Sequence, residues 1–149
     1  FQNGVTARAT LQRAWFSPDD QWSIGMLLYR DRTLGNGPLL EAWDNGQYLY
    51  LRNVEDTLSI QYIRANGVAY TKSITLTGGY DYLWLQYSNG NFTLGFNGNI
   101  STLTPITNAP INTDVKFVLG GGGVLVDDLV LVNSDQVDME AVRRWLLGL

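Results

Sequence analysis

Six Asn-Gly dipeptides divide the 149-residue chain, and they constrain its fold more than any other feature of the sequence. They begin at Asn3, Asn36, Asn45, Asn66, Asn89 and Asn97. Asn and Gly tolerate the positive φ angles of tight turns, so Asn-Gly between alternating apolar residues predicts a β-hairpin. Asn66-Gly67 and Asn89-Gly90 each lie between two such segments. The chain is therefore predicted to fold largely as antiparallel hairpins.

The segments between the turns alternate with a period of two. In residues 80–87, Leu83 and Leu85 share one face while Tyr82 and Trp84 share the other. Such alternation is typical of strands with one buried face. Strands are predicted at residues 5–16, 23–30, 39–43, 47–52, 57–64, 68–76, 80–87, 92–97, 115–119 and 124–132. Short antiparallel strands in this number indicate an all-β, two-sheet jelly-roll sandwich.

Three segments carry a different signal. Residues 99–113 contain two prolines and predict a long irregular connection. The run Gly120–Gly123 lacks the Lys-Ser/Thr of a phosphate loop, so it indicates a close approach of backbones instead. The C-terminus predicts a short helix with Ser134 or Asp135 as its N-cap. The apolar stripe of that helix is expected to pack on the sandwich, and it consists of Val137, Ala141, Val142, Trp145 and Leu146.

Composition excludes several classes of function. The chain has no Cys and no His, which excludes disulfides, a Cys nucleophile, the Ser-His-Asp triad and the HExxH zinc motif. The net charge is −4 and the ten Lys and Arg are scattered, so nucleic-acid binding is not expected. No apolar run has the length of a membrane span. We expect residues 1–149 to be a single domain, and the first residue, Phe1, indicates a processed chain or a piece of a larger protein.

Two stretches resemble a known family. Residues 82–98, YLWLQYSNGNFTLGFNG, are similar to the central hairpin of concanavalin A-like jelly rolls, especially laminin G-like and pentraxin-like domains. Residues 126–142 resemble the closing strand and short helix of the same superfamily. The resemblance implies a laminin G-like jelly-roll domain. The sequence departs from the family in lacking its cysteines and an acidic calcium loop, and in having Gly95 where Tyr is common.

Enzymes of this fold use paired carboxylates on one strand, which must flank a single glycosidic bond. The chain has only three glutamates, at positions 41, 55 and 140. Glu41 with Asp44 is the nearest match to the glucanase pattern, but its spacing is wrong. A catalytic function is therefore not expected, and a glycosidase or lyase would need an acidic pair that the sequence does not display.

Large rings on the non-core faces of the predicted strands suggest a binding surface. Aromatic rings stack on the CH-rich faces of sugars, and neighbouring polar side chains bind the hydroxyls. The candidate stacking residues are Tyr48, Tyr50, Tyr82 and Trp84. The candidate hydroxyl-binding residues are Arg52, Gln61 and Gln86. The alternative is that this face is covered by residues 99–113, by another domain or by a sister subunit.

Asp127 is the candidate metal ligand, because the resemblance places it where jelly-roll sugar binders and glucanases hold a structural Ca²⁺. Calcium takes six to eight oxygens, so one aspartate needs further partners. Asp19 and Asp20 could supply oxygens elsewhere, although Ser17-Pro18-Asp19-Asp20 is also good turn chemistry.

The sequence thus predicts a non-catalytic, lectin-like module of an extracellular, cell-surface or virion protein, with a glycan or polysaccharide as its partner. No nucleic acid and no membrane insertion are expected. The alternative is a structural or protein-interaction domain, with a protein partner or a second copy of the chain as its ligand. A phage decoration or attachment domain and an adhesin assembly domain are examples of that class.

Overall fold

The computed structural model describes residues 9–10, 21–44, 46–107, 109, 116–120 and 123–149. These residues form eleven strands and one helix. In chain order the elements are β1 (Ala9–Thr10), β2 (Trp22–Arg30), β3 (Gly37–Asp44), β4 (Gln47–Val54), β5 (Thr57–Ile63), β6 (Ala69–Thr75), β7 (Tyr80–Ser88), β8 (Asn91–Phe96), β9 (Asn99–Leu103), β10 (Lys116–Leu119), β11 (Val124–Val132) and α1 (Met139–Leu147).

The strands form two antiparallel sheets. One has six strands in the order β1-β10-β3-β4-β5-β6, and the other has five in the order β11-β2-β7-β8-β9. The inner faces of both sheets contribute to one apolar core. This arrangement confirms the predicted all-β jelly-roll sandwich with a short C-terminal helix.

The core contains a cluster of aromatic rings from both sheets. The rings of Trp22 and Tyr62 meet edge to face with centroids 5.2 Å apart, and Phe92 lies 5.6 Å from Tyr62. Such pairs add about 0.5–1.5 kcal/mol each beyond the burial of their area. Leu49 and Leu83, on opposite sheets, are fully buried here. The inward face that alternation predicts for each of their strands is therefore confirmed.

Three Asn-Gly dipeptides lie in hairpin turns, and one of those turns is longer than the predicted two residues. Asn89-Gly90 and Asn97-Gly98 have positive φ at both positions and form two-residue turns between paired strands. A two-residue turn at Asn66-Gly67 would pair residue 65 with residue 68. The structure instead pairs Ile63 with Ala69, which shifts the β5–β6 register by one residue.

The structure differs from one predicted segment and describes only part of another. Residues 99–113 were predicted as irregular, but Asn99–Leu103 is strand β9, so that prediction is wrong for this part. The Asn97-Gly98 turn folds these residues back against β8. Of the strand predicted at 5–16, only Ala9–Thr10 lies within the described residues.

The C-terminal helix begins later than predicted. Its N-cap is Asp138, whose side chain accepts a hydrogen bond from the backbone N–H of Ala141 at 3.0 Å. Ser134 and Asp135 were the predicted caps, but their side chains accept hydrogen bonds in the loop before the helix. Among the described residues, no helix is long and apolar enough to span a membrane.

Only part of the predicted apolar stripe faces the sandwich. Val137, Val142 and Leu146 pack with the buried Met139 against the five-stranded sheet. Trp145 was expected to be a core or seam residue, but 78% of it is exposed. It lies one position beyond the packed face of a helix with 3.6 residues per turn.

The close approach of backbones predicted for Gly120–Gly123 is confirmed at Gly123. A Cβ there would overlap the guanidinium of Arg30 and the carbonyl oxygen of Gly35. The Gly123 N–H donates to Oδ1 of Asn53 at 2.9 Å, and Nη1 of Arg30 donates to the Gly123 carbonyl at 2.7 Å. Gly121 and Gly122 lie outside the described residues.

Candidate functional site

The predicted site residues lie on two opposite outer faces of the sandwich. Tyr48, Tyr50 and Arg52 on β4, with Gln61 on β5, lie on the outer face of the six-stranded sheet. The remaining three are on the outer side of β7, in the five-stranded sheet, and they are Tyr82, Trp84 and Gln86. The prediction of one aromatic face carrying all seven residues is therefore wrong. Alternation fixes which residues of a strand point outward, but it does not say which sheet the strand joins.

Helix α1 covers the β7 group. Only 1% of Tyr82 and 5% of Trp84 is exposed. The indole Nε1 of Trp84 donates to Oε1 of Glu140 at 2.7 Å, and Nε2 of Gln86 donates to the carbonyl oxygens of Asp135 and Val137. The covered-face alternative is thus correct for these three residues. The cover is the C-terminal helix rather than residues 99–113.

Two glycines create the space for the covered rings. Gly95 lies opposite Trp84 across the β7–β8 pair, and a Cβ there would overlap the indole ring. A Cβ at Gly25 would overlap the hydroxyl of Tyr82. The departure of Gly95 from the family pattern therefore has a physical reason, because a larger side chain would displace Trp84.

The outer face of β4, β5 and β6 carries an open groove of about 570 Å³, which we call the β4–β6 groove. Its lining residues are Tyr50, Arg52, Ser59, Ile60, Gln61, Thr71, Lys72 and Ser73. Strand pairing aligns six of them in two rows on the outer face, whereas Ile60 pairs with Lys72 in the row between, which alternates to the core side. One row consists of Tyr50, Gln61 and Thr71, and the other of Arg52, Ser59 and Ser73.

The β4–β6 groove combines one ring with several hydrogen-bonding groups. Tyr50 is half-buried at one side, and Arg52 beside it is exposed. The Tyr48 hydroxyl donates to Oε1 of Gln61 at 3.3 Å. That bond occupies the amide oxygen and leaves the NH₂ group of Gln61 to act as a donor. Burial raises the pKa of Tyr48, so its hydroxyl stays protonated at neutral pH.

Sequence reasoning missed five lining residues, Ser59, Ile60, Thr71, Lys72 and Ser73. Ser59 could have been found from the predicted strand and Thr71 from the register of the β5–β6 hairpin, because residues two positions from Gln61 on its strand or opposite it on the next strand share its face. A two-residue turn would have placed Lys72 opposite Gln61, whereas the longer turn places Thr71 there. The turn length, rather than the strand pattern, decides which of these side chains lies in the row.

Asp127 lies at a bulge in β11 and is exposed. Within the described part of the chain, no group of three or more acidic side chains could hold a metal ion together. One aspartate does not meet the oxygen number that calcium prefers, so the described residues do not by themselves fit this ion. Calcium at Asp127 stays a prediction, and Asp19 and Asp20 lie outside the described residues.

Comparison with protein-family models and with curated proteins finds no match. Solved structures do match. The "Botulinum Neurotoxin Type G Receptor Binding Domain" superposes with a TM-score of 0.68 at 11% identity, over 99% of this chain and 41% of that one. Domains LG4-5 of the mouse laminin alpha1 chain give a TM-score of 0.63 at 14% identity, over 89% and 40%. The binding domain of botulinum neurotoxin DC, in complex with SialylT, gives 0.60 at 9% identity, over 87% and 36%.

These similarities establish the fold. The chain has the concanavalin A-like, laminin G-like jelly-roll architecture that residues 82–98 and 126–142 resemble. It spans less than half the length of each of the three solved chains. Because many functions share such a fold, function must be argued from the groove itself.

Proposed function

We propose that this domain is a non-catalytic carbohydrate-binding module and that the β4–β6 groove is its glycan site. The observation that carries the proposal is the row Tyr50–Gln61–Thr71, where a ring, an amide and a hydroxyl lie side by side across three strands. A sugar presents an apolar CH face and several hydroxyls, so it needs both kinds of group within one pyranose width.

The proposed mechanism assigns one role to each group. Tyr50 stacks on a sugar ring, and Gln61, held by Tyr48, donates to a hydroxyl. Arg52 binds a second oxygen from the neighbouring row. These residues are four of the seven that the sequence predicted. Tyr82, Trp84 and Gln86 are omitted because α1 covers them.

Comparison supports a binding role rather than catalysis. One neighbour is a receptor-binding domain by name, and another was solved in complex with SialylT. We further propose that the domain belongs to an extracellular, cell-surface or virion protein. A single open groove binds weakly, so several copies would be needed for strong attachment.

A glycan array with the wild-type domain and Tyr50→Ala tests the proposal. Tyr80→Ala is the matched control, because Tyr80 is an exposed tyrosine on the other sheet. We expect wild-type signal on a defined set of glycans, loss of about tenfold or more in Tyr50→Ala, and no loss in Tyr80→Ala. Equal loss in both variants, or no signal from folded wild-type protein, would reject the groove as the site.

The same array, repeated with Ca²⁺ and with a chelator, tests the predicted metal site. We expect signal to fall on chelation if Asp127 contributes to a site, and Asp127→Asn to reproduce that fall. Unchanged signal in both cases would show that glycan binding does not require calcium.

The second candidate function is protein interaction, and the exposed side of α1 favours it. Trp145 on α1 and Leu149 just after the helix are each more than three-quarters exposed. If protein interaction is the function, size exclusion with light scattering should show a dimer that Trp145→Ala dissociates. The glycan array should then give no signal.

A further inference from the structure

We infer that the part of the five-stranded sheet that α1 leaves open is a docking surface for a basic segment of a partner protein. The surface consists of Leu125, Tyr29 and Tyr80, with Asp127 and Asp128 beside them, and we call it the tyrosine face. It belongs to the other sheet than the β4–β6 groove, so the inference does not depend on the proposed glycan site.

Two tyrosine rings are exposed side by side on the tyrosine face. Tyr29 on β2 pairs directly with Tyr80 on β7, and their ring centroids are 5.3 Å apart. Tyr80 is 60% exposed and Tyr29 is 36% exposed. The next outward pair along the same strands, Leu27 and Tyr82, is buried beneath α1. The tyrosine face therefore continues the surface that the helix covers, but no cover for it lies among the described residues.

A third apolar side chain extends the row of rings. Leu125 on β11 is half-buried and pairs with Tyr29, so Leu125, Tyr29 and Tyr80 lie side by side across three strands. Such a row is about 10 Å long at the usual strand spacing. An extended peptide of about three residues spans that length, whereas a single small cation does not.

A β-bulge places two carboxylates beside this row. The register of β11 against β2 shifts between Val126 and Asp128, which leaves Asp127 as the extra residue. Val126 is buried while Asp127 and Asp128 are both exposed, so the bulge turns two successive carboxylates outward instead of one. Asp128 lies opposite Leu27 and is therefore a diagonal neighbour of Tyr29, about 7–8 Å away.

The charges on the tyrosine face favour a cationic partner. Within the described residues, no ion pair or hydrogen bond involves the side chain of Asp127 or Asp128. Arg32, whose charge acts on Tyr29, is already paired with Asp56 at 2.7 Å. A lysine or arginine can hold its charge over a tyrosine ring while it bonds a carboxylate, so the open rings and the free acids can bind the same side chain.

Fluorescence anisotropy with a labelled oligolysine peptide tests the inference, and the Nε-acetylated peptide is its uncharged counterpart. A chelator is present, so that Ca²⁺ does not compete at Asp127. We expect the wild type to bind the charged peptide at least about threefold more tightly than the acetylated one, because only the charged peptide gains the cation–π and carboxylate contacts.

Three variants locate the binding. Asp127→Asn/Asp128→Asn should weaken binding of the charged peptide by about threefold to tenfold, since two ion pairs are lost. Tyr80→Ala should weaken it by about threefold without any change of net charge. Glu55→Gln is the control, because it removes an exposed carboxylate from the β4–β5 turn, and it should bind as the wild type does.

Other results overturn the inference in distinguishable ways. No binding of the charged peptide by the wild type, or equal binding of the acetylated one, would show that the tyrosine face does not select a cation. Weakening by Glu55→Gln to the same extent per charge, with none in Tyr80→Ala, would show general attraction to a chain of net charge −4. A dimer in light scattering that Tyr80→Ala dissociates would show that a second copy, rather than a basic partner, occupies this face.

Discussion

The indole Nε1 of Trp84 donates a 2.7 Å hydrogen bond to Oε1 of Glu140, which joins strand β7 to helix α1 across 56 positions of sequence. Oε2 of the same carboxylate accepts from Arg143 at 2.9 Å. A buried indole therefore has its donor satisfied, and the helix is fixed over a face that would otherwise expose two large rings. This contact decides which of the two outer faces is open to a ligand.

The pH dependence of stability is expected to report on this contact. Burial raises the pKa of Glu140, but the hydrogen bonds from Trp84 and Arg143 outweigh it, so the pKa lies below its ordinary value of 4.5. A lowered pKa stabilises the folded state above the unfolded pKa, and the effect is lost as pH falls through the folded pKa. At pH 7 Glu140→Gln should lower the free energy of unfolding by about 1–2 kcal/mol.

Urea unfolding at pH 7 and pH 3 measures this difference between wild type and variant. The difference should shrink at pH 3, because that pH lies below the ordinary pKa of 4.5, so the carboxyl is largely protonated in the unfolded state. Glu55→Gln is the control, because Glu55 is exposed in a turn and should change stability by less than about 0.5 kcal/mol. An equal Glu140→Gln effect at both pH values would contradict the assigned role of the charge.

Substitution of Gly95 is expected to disturb the same contact from the other side. A Cβ at this position overlaps the Trp84 ring, which is packed beneath α1 and cannot move freely. Gly95→Ala should therefore cost about 1–3 kcal/mol of unfolding free energy. Gly35→Ala is the matched control, since a Cβ there meets no atom within 4 Å. Equal stability of the two variants in urea would show that Trp84 is not held as described.

The Tyr82 hydroxyl is buried, and no hydrogen-bond partner for it lies among the described residues. Burial, with the nearby Glu140 charge, raises its pKa to about 12. Tyr82→Phe should therefore leave stability unchanged or raise it, because it removes an unsatisfied polar group. Tyr70→Phe should instead cost about 1 kcal/mol, since the Tyr70 hydroxyl donates to the Gly90 carbonyl at 2.6 Å. Thermal unfolding should therefore fall in temperature for Tyr70→Phe but not for Tyr82→Phe, and a larger loss in Tyr82→Phe would contradict the buried, unsatisfied hydroxyl.

Trp84, which lies beneath α1, and Trp145, which lies on the exposed side of α1, should differ sharply on truncation. Trp84→Ala removes a buried ring and should cost about 3–5 kcal/mol, or prevent folding. Trp145→Ala removes an exposed ring and should change stability by less than about 0.5 kcal/mol. Urea unfolding of Trp145→Ala alone is decisive, because a loss above 2 kcal/mol would mean that this ring is packed.

Local patterns were sufficient to predict the sandwich and the direction of its side chains. Alternation with period two depends only on neighbouring residues, so Leu49 and Leu83 were placed inward correctly. Assignment of β4 and β7 to different sheets depends on pairing between distant strands. For that reason Tyr50 and Trp84 looked equivalent in the sequence.

One long-range contact could have been predicted from the sequence. A glycine inside a strand often marks a close approach, and Gly95 opposite Trp84 was such a mark. The helix start was harder, because Ser134, Asp135 and Asp138 are all good caps. Asp138 caps the helix, whereas the side chain of Asp135 accepts a hydrogen bond from Ser88.

Glycan binding on the outer face of β4, β5 and β6 can be mapped by amide chemical shifts of the ¹⁵N-labelled domain, titrated with the strongest glycan from the array. We expect shifts concentrated at residues 48–52, 59–61 and 71–73, and none on α1. Shifts concentrated around Tyr29 and Tyr80, or on the exposed side of α1, would instead put the glycan site outside the β4–β6 groove.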